Sequence, residues 1–201
     1  KKIKKNINKK NIYYIEADYI WGRREKIFQW RSQIKDYTVT LGAAIHMIDL
    51  VMWILDEKPI SVSAYGNKVV TKNSKFLKES FLVYIMRFPN NIIVKITANA
   101  ASIYNHFHEL KIFEKNKTIV HGFSDTFSFI KNKKKTRYVK IKSNYPDKSN
   151  RKNLIHNFID TIQNKNIKPV INLKEQVNLM SVCFAADKSL KSRKEIKIKY
   201  L

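Results

Sequence analysis

Apolar residues recur at two different periods along this chain, and each change of period marks a new element. Residues 12–20, Ile-Tyr-Tyr-Ile-Glu-Ala-Asp-Tyr-Ile, are rich in β-branched and aromatic side chains and predict a strand. The longest apolar run, residues 41–55, has the helical period, with Ile45, Ile48, Val51, Met52 and Leu55 on one stripe. Residues 56–59 make a turn. Alternation then predicts a strand over 60–70 and hairpins of 81–88 with 92–100, 107–113 with 118–123, and 127–130 with 138–142. The helical period returns at 153–164 and 173–190, the second N-capped by Asn172, with Leu173, Val177, Met180 and Phe184 expected to face inward. Ile196-Lys197-Ile198-Lys199 closes as an edge strand blunted by lysines.

A run of five or more antiparallel strands makes a sheet wide enough to need a covering layer. The pattern therefore predicts an α+β fold: an open, mostly antiparallel sheet covered on one face by helices. A second copy of the chain is the natural cover for the other face, if that face is not wholly polar. By length, 201 residues make one domain. We expect it to span 12–201, after a basic linker or frayed helix at 1–11.

Composition adds bounds. No run is long and apolar enough for a membrane span, and the basic start lacks the apolar segment of a secretory signal. The single cysteine, Cys183, excludes an internal disulfide and reads as inert core, which suits a reducing, cytoplasmic compartment. The formal charge of +24 invites a nucleic-acid reading. We rank it last, because the excess is lysine spread along the chain among Asn and Ile. The one dense cluster, residues 131–137, fits a hairpin tip. The four glycines, at 22, 42, 66 and 122, are never spaced as a dinucleotide fingerprint or a P-loop. No His/Cys cluster has metal-ligand spacing, so no metal site is expected.

Within the helix at 43–55, His46 and Asp49 lie at i and i+3, neighbours on one edge of the apolar stripe. An imidazole and a carboxylate beside a buried face need partners or a task. Gly42 is the expected start of this helix. Upstream, Arg and Trp cluster between 21 and 31. Trp30 and Arg31 would suit an anionic or sugar-like ligand, since a guanidinium forks onto carboxylate or phosphate and Trp stacks on sugar faces. An Arg–Glu25 surface pair with Trp as core filler would explain the same residues. His106 and His108 alternate about Phe107 and share one face, whereas His121 and His156 read as surface residues.

The segment 41–55, Leu-Gly-Ala-Ala-Ile-His-Met-Ile-Asp-Leu-Val-Met-Trp-Ile-Leu, resembles the Gfo/Idh/MocA oxidoreductases. Their pattern there is Gly-Gly, a few apolar residues, Asp-x-Gly-x-His-x-x-Asp and an apolar helix ending in Trp-Leu. His46 falls on the family's catalytic His, Asp49 on the Asp after it and Trp53 on the Trp. Gly42 stands where the family has its acidic residue, and Ala44 where it has a Gly. The opening Ile-Tyr-Tyr-Ile-Glu-Ala-Asp-Tyr with Trp30-Arg31, and the closing Ala185-Ala186-Asp187-Lys188-Ser189, resemble the two ends of the family's second domain.

The resemblance implies a fold like the C-terminal domain of glyceraldehyde-3-phosphate dehydrogenase. It also implies a catalytic pair of His46 as general base and Asp49 orienting it, with Trp30, Arg31 and His108 on the substrate. The family's first half, a Rossmann domain, is absent from these residues. No cofactor is then expected on this chain alone, and NAD or NADP on a full-length parent that oxidises a sugar or nucleotide-linked sugar. Its partners would be that domain, a small sugar-like substrate and further copies of itself. The alternative is a degenerate, non-catalytic structural or oligomerisation module of the same fold.

Overall fold

Strand β1 (Ile12–Ile20) is the axis on which the computed structural model is built. The structure describes residues 2–123, 125–132, 135–141 and 151–201. The strands that follow are β2 (Ser61–Asn67), β3 (Phe81–Arg87), β4 (Ile93–Asn99), β5 (Phe107–Glu114), β6 (Lys117–His121), β7 (Thr126–Asn132), β8 (Lys135–Lys140) and β9 (Ile196–Lys197). These nine form one sheet among the described residues, in the order β8-β7-β6-β5-β1-β4-β3-β2-β9. The tip of the β7–β8 hairpin and Lys142, at the end of the last expected strand, lie outside the described residues.

The expected simple meander is interrupted. β1 inserts at its middle, parallel to β4 and antiparallel to β5. Cross-strand chemistry favours that place. Glu16 stands opposite both Lys95 of β4 and Lys111 of β5, and Asp18 stands opposite Thr97. Lys111 lies 3.1 Å and Lys95 3.7 Å from Glu16, while Thr97 donates to Asp18 at 2.5 Å. Opposed charges across a ladder stabilise a pairing register that like charges would disfavour.

Helices α3 (Ile45–Leu55) and α5 (Leu173–Ser192) cover one face. Beneath them lie Ile15, Ala17, Tyr84, Ile96 and Ile112, all fully buried. The inward residues of α5 are Asn178, Leu179, Val182, Cys183, Ala185, Ala186 and Ser189, while Leu173 and Phe184 are 80% and 58% exposed. The expectation that these two face inward is corrected. The buried side of α5 is mostly small because the helix lies close on β2, where the amide of Ala64 donates to the Ser189 hydroxyl at 2.9 Å. The Asn172 cap is as expected: its side chain accepts from Glu175 N, and the Glu175 side chain returns the bond. Cys183 is buried, and burial pushes its thiol up to about 12, as expected of an inert core residue.

Helix α4 (Arg151–Gln163) buries none of its residues. Its stripe of Leu154, Ile155, Phe158, Ile159 and Ile162 is exposed. The basic start holds one helical turn, α1 (Lys2–Lys5), anchored on the C-terminal end of α3 by Lys4, which bonds Asp56 at 2.6 Å and the carbonyl of Trp53.

Candidate functional site

The residues singled out by pattern converge around one aromatic ring, that of Tyr19 near the end of β1. Because β1 alternates, Tyr19 shares the helix-covered face with Ile15 and Ala17. Its ring centroid is 4.4 Å from His108, 5.4 Å from His106 and 5.7 Å from His46, the last ring stacked at 21°. His108 arrives as the register partner of Tyr19 on β5, and His106 precedes it on the same face. Gly22 allows the approach. A Cβ there would lie 2.2 Å from the Tyr104 carbonyl and 2.4 Å from the His106 nitrogen, so only glycine lets the 104–106 loop close on the end of β1.

Trp21 extends the cluster, 6.1 Å from Tyr19, and the Arg31 guanidinium lies 5.1 Å over the Trp21 ring. Arg31 also lies 4.2 Å over Trp30 and 5.8 Å over Tyr37. The chain reaches these positions through the single turn α2 (Glu25–Phe28) and a 3₁₀ turn at Trp30–Gln33. No salt bridge joins Glu25 to an arginine among the described residues, and Trp30 is 54% exposed. The buried Trp of this segment is Trp21. Of the alternative reading, the Arg–Glu25 pair is not seen among the described residues, while Trp21 does fill the core.

The helix carrying His46 begins earlier than Gly42. A π-helical turn, Thr40–Ala44, runs straight into α3, so His46 sits beyond the first turn of the continuous helix. Thr40 fixes that entry, its hydroxyl 2.9 Å from Tyr84 Oη and bonded to the Asp187 carboxylate. Burial raises the Asp187 carboxyl, and the hydrogen bonds from Thr40 and Thr38 oppose the rise.

His46 and Asp49 are both exposed on α3, and no hydrogen bond joins them. They stand on the edge of the apolar stripe, whose own residues are buried. Asp49 opens instead onto a cleft of about 570 Å³ lined by Met52, Trp53, Leu154, Val170 and Glu175. Partial burial raises its carboxyl, His46 opposes that and Glu175 adds to it. Both sensed charges reach Asp49 through space, and the two halves of the pair face different surroundings.

The other histidines report a site poor in negative charge. Burial lowers His106, as do the charges of Arg23 and Lys26, against a backbone hydrogen bond at Ile20. Burial and the neighbouring His106, His46 and His121 push His108 down to about 4. His121 is half-buried, its Nδ1 2.6 Å from Thr126 Oγ1, and His156 is exposed. No group of three His, Cys, Asp or Glu among the described residues could hold a metal ion. Sequence pattern passed over Tyr19 and Tyr37. Tyr19 carried a signal, a polar-tipped ring at the end of an inward-facing row. Tyr37 carried none, lying in a loop with no apolar period.

This arrangement, an open mixed sheet with a histidine-bearing helix crossing the end of its central strand, defines a class. The chain belongs to the Gfo/Idh/MocA oxidoreductases: residues 4–198 match the oxidoreductase family, C-terminal alpha/beta domain. Its fold is shared with three solved enzymes at low identity. Myo-inositol 2-dehydrogenase from Lactobacillus plantarum superposes with a TM-score of 0.74 at 12% identity, over 94% of this chain and 57% of that one. UDP-N-acetylglucosamine 3-dehydrogenase from Acidithiobacillus ferrooxidans gives 0.72 at 16%, over 94% and 56%. Scyllo-inositol dehydrogenase from Lactobacillus casei, solved with NAD(H) and scyllo-inositol, gives 0.71 at 13%, over 93% and 56%. The chain thus spans little more than half the length of these structures. No curated protein matches it at a significant level.

Proposed function

We propose that this chain is the substrate-binding and subunit-pairing domain of an NAD(P)-dependent oxidoreductase acting on a sugar or nucleotide-linked sugar. The observation that carries the reading is the convergence on Tyr19 of His46, His106 and His108, with Trp21, Trp30 and Arg31 alongside. Aromatic faces stack on sugar rings, imidazoles exchange protons with hydroxyls, and a guanidinium orients an anionic or polar substituent. In this reading His46 takes the proton from the reacting hydroxyl, and His108, Trp30 and Arg31 hold the ring. Asp49 acts on His46 by charge alone.

Gly22 and Gly42 are closed over by the 104–106 backbone and by Tyr37, and neither opens a strand–turn–helix phosphate loop. The nicotinamide, whose chemistry is to exchange hydride, is accordingly held outside this chain in our reading. Subunit pairing rests on the uncovered sheet face, where Ile85 and Ile93 flank the Glu16–Lys95–Lys111 network.

The test takes the protein as its source cell makes it, measures its intact mass, and follows NAD(P) reduction with a panel of sugars. Turnover with one of them, and a fall of about 10²–10⁴-fold in kcat for His46→Ala, support the reading. Absence of turnover across the panel favours the non-catalytic module, a reading to which Tyr37 seated at Gly42, in place of a carboxylate, lends support.

A further inference from the structure

The guanidinium of Arg31, partly buried, is flanked by three aromatic rings and paired with no described carboxylate. Trp30, Trp21 and Tyr37 lie 4.2, 5.1 and 5.8 Å from it. Arg31 Nε and the Tyr37 hydroxyl are both buried, and neither makes a hydrogen bond. A buried charged donor without a partner is costly, and such vacancies concentrate where a ligand completes them. Tyr37 is held there by shape. Its Oη would stand 1.7 Å, and its Cζ 2.4 Å, from a Cβ at position 42, so the phenol fills the space beside the helix that a side chain at 42 would occupy.

Two routes tie this pair to the histidines. Arg31 lies over Trp21, Trp21 meets Tyr19 edge to face, and Tyr19 stacks on His46. Tyr37 meets Gly42, one helical turn before His46. The charges acting on the neighbouring His106 are all basic. Arg23 and Lys26 act on His106, and no described carboxylate is ion-paired with Arg23, Lys26 or Arg31. Partial burial raises the Tyr37 phenol, so it stays protonated and able to donate, while the close approach of the Arg31 guanidinium to the phenol oxygen opposes that rise.

We infer that the substrate of this site carries a negative charge, a carboxylate or a phosphate on the sugar, received by the Arg31 guanidinium with the Tyr37 hydroxyl as second donor. The inference rests on the sugar-site reading and narrows it: the hydroxyls of a neutral polyol can accept from both donors but bring no counter-charge to Arg31, whereas a sugar acid or sugar phosphate brings both.

Calorimetric titration of the full chain separates the two ideas. The probes are D-glucuronate against D-glucuronamide, which differ in one charge, and D-glucose 6-phosphate against D-glucose. One anion binding about tenfold or more tighter than its neutral counterpart, the strength of a charge-assisted bond, is the expected result. Which anion wins distinguishes carboxylate from phosphate. The preference should vanish in Arg31→Gln, persist in part in Arg31→Lys, which keeps charge but loses the fork, and be unchanged in Arg87→Gln on the opposite sheet face. Equal binding of charged and neutral partners overturns the inference and leaves the sugar reading standing. Binding of none of the four overturns both. If Arg31→Gln does not fold, the glucuronate-to-glucuronamide ratio of the native chain decides alone.

Discussion

At the scale of the residue, His108 shows how an environment rewrites a side chain. In an unfolded chain its imidazole takes up a proton near pH 6.5; in the folded chain burial and three neighbouring histidines delay this to about 4. Between those values the unfolded state binds a proton that the folded state does not. His108 therefore favours folding fully above its ordinary value, and that contribution is lost as pH falls from 6.5 toward 4. Urea midpoints at about pH 7 and about pH 5 measure it, and the drop should be smaller in His108→Gln. An identical drop in both proteins would show that another group is responsible. The sequence made His108 visible, because alternation with His106 put two imidazoles on one face. It did not show Tyr19 between them, since a ring at a strand end reads equally well as core.

At the scale of the element, the start of α3 joins a helical preference to a tertiary clash. Alanine in a helix is favoured over glycine by about 1 kcal/mol, yet a Cβ at 42 would run into Tyr37. Gly42→Ala should destabilise the chain by about 1–3 kcal/mol, the usual range for overpacking. In a Tyr37→Ala background the same change should turn stabilising, by about 0.5–1 kcal/mol. A double-mutant cycle by urea denaturation reads the change of sign, and additive effects would mean that Tyr37 swings aside without cost. The existence of α3 was plain in its apolar period. Its π-helical entry was not, because that turn depends on Thr40 meeting Tyr84 and Asp187, residues remote in sequence. The inward side of α5 was misjudged for a related reason. Large apolar side chains marked one stripe, but close packing on β2 selected the small one.

At the scale of the molecule, the sheet has one clothed face and one bare face. The bare one places Ile85 and Ile93 around ion pairs that are themselves only partly exposed. We predict self-association through it: sedimentation should give a species of at least two copies, and Ile85→Asp should shift it toward the monomer. Val69→Asp, in the exposed turn after β2, should leave the mass unchanged. A native chain that sediments as a monomer would refute the pairing.

Periodicity by itself determined most of the strands, the three helices of 41–55, 153–164 and 173–190 and the α+β class, because each is written in local spacing; His46, His108, Trp30 and Arg31 stood out by residue type and by resemblance. Tertiary structure alone decided that β1 lies parallel to β4 in the middle of the sheet, that Asp49 lines a cleft with Leu154 and Glu175, and that Tyr37 takes the space at Gly42. The physical reason is common to all three. Strand order, side-chain neighbours and unfilled donors are set by contacts between residues tens of positions apart, and no local period records them.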